Sequence, residues 1–432
     1  MQNQVQSSLR TLDKCVRIVL RGEGGIFMKV VGIVAEYNPF HKGHAYHIKK
    51  AKEITGSDYC IVVMSGNYTQ RGVPAMIDKH SRAKMALLNG ADLVIELPVR
   101  FATASAEGFA QSAISLLNAT GVVTDVCFGS ECGNVEKLSK IAKVLLEEPD
   151  EYKDVLKREL KNGHSYPVAR NTALQGLDCW DFDSLKILSM PNNILGIEYI
   201  KALMKTGSKM NPVTIQRMGS NYNDCSLNEL YSSAMAIRSS IATTENLENI
   251  FSEVPENVYK IMKEQQNISF PIVPDDFSEM LHYKLLSEKE NGFTQYVDVS
   301  SDLSDRIVKN VYQYKNYESF CDLLKTKNMT YTRISRCLLH ILLDLKVSDE
   351  YQPSYLRILG INTEAKELSK ALKENASLPL ISKLADAKSS LSEDAFDLLK
   401  EDVFASNLYD TVLSHKFDSE FISDYQKQVQ TI

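Results

Sequence analysis

Residues 30–47, VVGIVAEYNPFHKGHAYH, decide the fold of this chain. The first half is a short apolar run rich in β-branched residues, the pattern of a strand buried on both faces of a parallel sheet. The run breaks at Asn38-Pro39, and two histidines, His41 and His44, then flank Lys42-Gly43. From 42 to 55 the pattern is helical. A helix that begins where a parallel strand ends points its free N–H groups over the sheet edge, which makes an anion site. Gly43 lacks a Cβ, so a phosphate or a purine ring can lie against the backbone there. Imidazole N–H groups on His41 and His44 can donate to phosphoryl oxygens and stabilise charge that builds during transfer. The plain alternative makes both histidines turn and helix-start residues with ordinary hydrogen bonds.

Outward from this stretch, strand-like runs at 30–36, 59–65, 93–97, 125–128 and 213–217 alternate with helical patterns at 42–55, 79–88, 104–117, 135–146 and 192–204. Such alternation predicts a parallel sheet with crossover helices. Gly90 and Gly121 follow helices where a left-handed cap is wanted. Residues 150–180 are more polar and read as an insertion with two short helices, and a helix over 232–243 closes the unit. Beyond 245 the strand signal nearly vanishes, and 254–412 reads as successive amphipathic helices. Residues 354–360, SYLRILG, fit a short strand or a buried helix turn equally well. The expected organisation is an extension over 1–27, an α/β nucleotide-binding domain over 28–245 and a mainly α-helical domain over 246–432.

Composition bounds the function. With 44% hydrophobic and 24% charged residues the chain has the make-up of an ordinary globular protein. No run approaches the roughly 18 consecutive apolar residues of a membrane span. The eight cysteines are scattered without a CxxC pair. That spacing argues against a disulfide framework or a zinc site, no metal ligands are assigned, and a reducing cytoplasm fits best. A net charge of −6 does not advertise a nucleic-acid binder, so RNA contact requires a local basic face. Residues 1–27 lack the apolar core of a signal peptide. Met28 reads as the natural start, with Arg21-Gly22-Glu23-Gly24-Gly25 as the codons of a ribosome-binding sequence; a flexible N-terminal arm is the alternative.

HKGH after a strand resembles the HxGH signature of the nucleotidylyltransferase superfamily. The longer GIVAEYNPFHKGH, with MSGNYTQRG at 64–72 and GADLVIELP at 90–98, resembles one family within it, the bacterial tRNA(Met) cytidine acetate ligases. That resemblance implies a Rossmann-like parallel sheet, ATP with Mg²⁺, and a two-step reaction. Acetate would be activated as acetyl-adenylate and passed to N4 of the wobble cytidine of elongator tRNA(Met). It further implies His41 and His44 as the catalytic pair, and nucleotide contacts from Val34, Ala35, Glu36, Tyr37, Asn38, Pro39, Phe40, His41, Lys42, Gly43 and His44.

Further along, Phe128-Gly129-Ser130-Glu131 ends the fourth strand, where ligands of open α/β sheets bind near a switch point. The resemblance adds Gly129 as an ATP contact. MPNNILG at 190–196 opens a helix with proline in its first turn and asparagine as cap. There the resemblance favours Asn192 at the nucleotide, with Asn193 as alternate. Arg217-Met218 would follow, Arg217 forking onto phosphate or stacking on adenine unless it makes a surface ion pair. YSSAMAIR at 231–238 resembles the superfamily's second signature, ISSTxIR. Tyr231 and Ala234 depart from it, which leaves Ser233 and Arg238 as the carried-over positions. The polar loop at 66–72 grips the acceptor, shapes the acyl pocket or acts as a lid, with Gln70 and Arg71 its candidates. The charges of 78–82 read as a solvated helix face.

For RNA, KTKNMTYTRISR sets Lys325, Lys327, Arg333 and Arg336 around Tyr331, a pattern suited to phosphate contacts and a stacked base. An ordinary charged helix face is the alternative. Two rival functions stay open. One is a transferase that attaches AMP to a phosphorylated small molecule and uses the helical part for oligomerisation; the other is a non-catalytic ATP- and RNA-binding protein.

Overall fold

A computed structural model describes residues 28–164, 166–175, 186–217, 233–244, 246–348 and 352–432. Five parallel strands form its centre: β1 (Val30–Ala35), β2 (Tyr59–Ser65), β3 (Leu93–Leu97), β4 (Asp125–Ser130) and β5 (Asn211–Gln216). Their spatial order is β5-β4-β1-β2-β3. The chain builds outward from β1 through β2 to β3, then crosses back to lay β4 on β1's other side. The carboxyl ends of β1 and β4 therefore flank the switch point at which open α/β sheets bind ligands. β1, β2 and β3 are apolar runs buried for nearly their whole length, as both-sided coverage by helices requires.

The crossover helices fall where the sequence places them, as Lys42–Thr55, Lys79–Leu87, Ala106–Ala119, Val135–Glu147 and Pro191–Lys205. Asp150–Lys161 and Tyr166–Gln175 are the two short helices of the polar insertion. Gly90 and Gly121 both have positive φ, 103° and 67°.

The second half is mostly helical but returns to the sheet. Residues 354–360, left open above, contain β6 (Leu356–Ile361), which pairs antiparallel with β3. β7 (Leu380–Ile381) and β8 (Gln430–Thr431) then pair with β6, so among the described residues the sheet has eight strands and runs past the boundary expected at 245. The helices Ser278–Glu288, Ser301–Asn310, Tyr317–Leu324 and Tyr331–Leu342 share a core with Ala405, Tyr409 and Val412 of the long Glu393–Phe417 helix. That helix joins the two halves. Tyr68 donates to the Ala405 carbonyl at 3.2 Å, and Tyr409 donates to that of Ala75 at 2.9 Å.

The expectation of a solvated face at 78–82 is overturned. Lys79 and Arg82 are fully buried, and His80 nearly so. Arg82 turns its guanidinium onto four backbone carbonyls, those of Glu36, Ser65, Gly66 and Ile77. It thereby ties together the exits of β1 and β2, where strand carbonyls run out of ladder partners.

Candidate active site

Beyond β1 the backbone turns sharply, with Tyr37 in the left-handed region at φ 49°. Non-glycine residues rarely sit there, and such positions concentrate at functional sites. His41 is then the N-cap of the Lys42–Thr55 helix. Its Nδ1 accepts from the Gly43 N–H at 3.1 Å, while His44 Nδ1 accepts from the His41 N–H at 3.2 Å. Two histidines thus make a reciprocal capping box, a device usually built from Ser or Thr with Glu or Gln. In each ring the accepting Nδ1 carries no proton, so the neutral imidazole holds its hydrogen on Nε2. The rings stack with centroids 3.6 Å apart, and Tyr37 packs edge-on to His44. The capping reading of HKGH is met at Nδ1 of each ring, which leaves Nε2–H as the other polar atom of each imidazole.

Burial, with Arg217 and Arg238 nearby, lowers the His41 pKa to about 3. His47 falls to about 4 by burial and Arg217. Burial, His41, Arg217 and His47 hold His44 well below the ordinary histidine value. All three are neutral at neutral pH, and His41 and His44, with Nδ1 accepting, carry their proton on Nε2. Across about pH 5.5 to about 8, kcat/KM for ATP should therefore show no inflection from this triad, because that profile reports free-enzyme groups. An inflection near 6.5 that disappears in His41→Ala would contradict the assignment. Stability has the matching sign: the unfolded chain takes up protons near 6.5 and the folded one does not, so the free protein loses stability as pH falls from about 6.5 towards 3.

These side chains open into one cavity at the switch point. Val34, Ala35, Glu36, Tyr37, Asn38, His41, Gly43, His44, Gly129, Asn192, Arg217, Ser233 and Arg238, all named from the sequence, line it. Arg238 donates to the Asn38 carbonyl at 2.6 Å, and Asn38 Oδ1 accepts from the Met76 N–H. Gly129 leaves room for the Arg217 stem, which a Cβ would meet at 3.3 Å. Glu131 accepts from the N–H groups of Asn192 and Asn193 and from the Asn192 amide, covering the helix start. Asn192 is the one at the cavity. Asn193 is fully buried, accepting from Cys132 N–H and donating to the Ile187 carbonyl. Ser233 caps its own helix by accepting from the Ala236 N–H.

Three expected contacts do not line the cavity. Phe40 and Pro39 are buried beneath it, Phe40 packing on Tyr37, and Lys42 points its side chain to solvent. Met218 lies outside the described residues, as do Tyr231 and Ser232 of the second signature and residues 1–27. Gln70 and Arg71 do reach the cavity. Gln70 is tied down by its N–H to Glu36 Oε1 at 2.7 Å and by its amide to the Ala104 carbonyl. Sequence reasoning missed Tyr46, His47, Phe109, Leu195 and Tyr199 in the wall. Only His47 carried a signal, being one turn beyond the motif.

The basic patch is narrower than expected. Lys325, Lys327 and Arg333 are exposed, Lys325 pairing with Asp322 at 3.1 Å. Tyr331 is half-buried against the helical core, and Arg336 turns inward beside Asp298. The helical core touches the loop that brings Gln70 and Arg71 to the cavity: Ser335 Oγ and the Tyr317 hydroxyl both donate to the Gly72 carbonyl, at 2.8 and 3.1 Å. Among the described residues no cluster of His, Cys, Asp and Glu could hold a metal ion, and no helix is long and apolar enough to cross a membrane.

A parallel sheet whose first strand delivers HxGH to the switch point, with arginines converging from β5 and the helix after it, defines a nucleotidyl-transferase-type ATP site. Comparison agrees. The profile of the HIGH Nucleotidyl Transferase family matches residues 28–423. A tRNA(Met) cytidine acetate ligase of Clostridium perfringens is 42% identical over 91% of this chain and 98% of its own length. One from Caldicellulosiruptor saccharolyticus is 43% identical over 88% and 94%. The Thermotoga maritima TmcAL structure bound with alpha-thio ATP superposes with a TM-score of 0.85 at 34% identity, covering 94% of this chain and all of that one. The chain belongs to the HIGH nucleotidyl transferases and, among them, to the tRNA(Met) cytidine acetate ligase family.

Proposed function

We propose that this protein condenses acetate with ATP and passes the acetyl group to N4 of the wobble cytidine of elongator tRNA(Met), leaving N4-acetylcytidine. The observation that carries the reading is the doubly capped histidine pair at the switch point: Nδ1 of each ring is spent on the helix, and Nε2–H is left for phosphate. A carboxylate oxygen attacks the α-phosphorus, the bond to the bridging oxygen breaks, and pyrophosphate leaves with the electron pair. The cytidine N4 then attacks the acetyl carbonyl, AMP departs, and the nitrogen loses a proton. His41 and His44 donate to the triphosphate as charge moves onto the leaving group. Arg217 and Arg238 orient it, with Ser233 holding the helix that presents Arg238.

Mg²⁺ fits as part of the nucleotide substrate. Glu36 is the one carboxylate among the described residues lining the cavity, so phosphate oxygens would supply most of the ion's ligands. The ion would neutralise charge on the departing pyrophosphate. A tRNA substrate fits a cytoplasmic protein.

Lys325, Lys327 and Arg333 are the phosphate contacts of the tRNA in this reading. Replacing all three by alanine should weaken tRNA binding about equally for any sequence and reduce the slope of log K against log salt by about 2 to 3. Acetate-dependent ATP–pyrophosphate exchange without tRNA should be unchanged, and a fall in exchange would count against the assignment.

The test is transfer of labelled acetate to purified tRNA with ATP and Mg²⁺, followed by mass spectrometry of the nucleosides. Acetylcytidine that depends on ATP supports the reading. Exchange with no acetylated nucleoside would favour a small-molecule transferase.

A further inference from the structure

The cavity straddles the C-terminal edge of the sheet, and its two lobes differ in chemistry. Beside the Lys42–Thr55 helix it is polar, walled by His41, His44, His47, Arg217 and Arg238. Successive residues of β1 turn to opposite faces, and across the strand Val34, Phe109, Phe128, Leu195 and Tyr199 form an apolar wall, beside which Glu36, two residues beyond Val34, and Asn192, one turn before Leu195, also line the cavity. These five belong to the apolar cluster under the Ala106–Ala119 and Pro191–Lys205 helices. Ala35, Tyr37 and Tyr46 belong to the cluster of the other face. None of the five carries a charge.

Phe128 is the fixed element of the apolar lobe. A Cβ at Gly196 would come within 2.6 Å of Phe128 Cε2, so the ring lies directly on the helix backbone there. Its other neighbour is Tyr199, tilted at 49° with centroids 5.7 Å apart. The ring has no room to retreat.

Displacement at the α-phosphorus is in line, with nucleophile and leaving group on opposite sides of the phosphorus. Where the triphosphate lies along the polar lobe, the carboxylate must approach from the far side of β1. That is the apolar lobe. Resting on the acetate-activating reading above, we propose that this lobe receives the carbon chain of the acid and that Phe128, wedged against Gly196 and Tyr199, closes it behind a two-carbon chain. The carboxylate then faces the phosphorus at the mouth, its oxygen forming the new bond as pyrophosphate leaves. Phe128 acts as a specificity determinant and takes no proton.

The experiment is ATP–pyrophosphate exchange with acetate, propionate and butyrate, without tRNA, for the wild type, Phe128→Ala and Phe109→Ala. A methylene in an apolar pocket is worth roughly 10–200-fold in discrimination. Phe128→Ala should therefore raise the propionate-to-acetate ratio of kcat/KM by roughly tenfold or more, with KM for ATP little changed. Gly196→Ala, which presses the ring into the lobe, should move the ratio the other way. An unchanged ratio with a raised KM for ATP would place the adenine in the lobe and overturn the proposal. Unchanged exchange with lost transfer to tRNA would place the cytosine there and overturn it equally. If Phe128→Ala fails to fold, Phe128→Leu and Phe109→Ala supply the same ratio. Exchange by the wild type that ignores acetate but proceeds with another substrate would overturn the underlying reading as well, and so is distinguishable from failure of the pocket assignment alone.

Discussion

His44→Ala lowers acetate-dependent ATP–pyrophosphate exchange by about 10²–10³-fold, the loss seen when one preorganised donor to a developing oxyanion is removed. The size of the effect follows from the way the donor is held. His44 Nδ1 is occupied by the His41 N–H, so the ring cannot flip without breaking the helix cap. Its faces are held by the stacked His41 ring and the edge of Tyr37. A donor fixed in this way costs no reorganisation at the moment of transfer. The alanine variant also loses a cap worth about 1 kcal/mol, small beside the kinetic effect. His44→Gln separates the two roles, because a glutamine carbonyl at this position can accept from the His41 N–H. It should restore the stability lost in His44→Ala yet recover only part of the exchange rate. Full exchange in His44→Ala would mean that the pair is architectural, and the catalytic reading would fall.

The core of the α/β fold is legible in sequence because parallel strands covered on both faces are continuous apolar runs, as β1, β2 and β3 are, and the shorter runs of β4 and β5 stand out between helical periods even though β5 is largely uncovered. β6 is not legible in that way. LRILGI places Arg357 inside an apolar run, and only the distant acids Glu96 and Asp424, which pair with it, make that arginine acceptable in a buried strand. The same physics hides Lys79 and Arg82: a charge run at a helix start is ordinarily solvated, and their partners lie at the exits of β1 and β2, on β3, in the Glu393–Phe417 helix and at Asp424. In the site, polar residues inside a motif announced themselves, whereas Phe109, Leu195 and Tyr199 could not. An apolar residue that lines a pocket has the same local pattern as one that fills a core.

Lys79→Ala should destabilise the protein by about 3–5 kcal/mol, the penalty for breaking a buried ion pair and leaving a charge unmatched. Lys79 Nζ reaches Glu96 at 2.9 Å, Asp424 at 3.1 Å and Ser406 Oγ at 2.7 Å, with no exposed side-chain surface. Arg357 closes the square, 3.0 Å from Glu96 and 2.8 Å from Asp424. Two cations face two carboxylates, and removing one cation leaves a buried negative charge. Burial alone pushes the Asp424 carboxyl up, but Lys79 and Arg357 together hold it well below the usual carboxylate range. Its contribution is therefore present above the unfolded value near 3.9 and lost as pH falls through the acid range. The cluster pins the C-terminal segment: Asp424 begins the turn Asp424–Gln426, which leads to β8 on β6. In Lys79→Ala, amides of 424–432 should exchange with deuterium much faster than in the wild type, while those of β1 and β2 change least. Lys79→Met combined with Glu96→Gln removes one charge of each sign and should recover part of the loss, a coupling that a double-mutant cycle measures directly. Additive effects of the two substitutions would show that the square does not act as a unit.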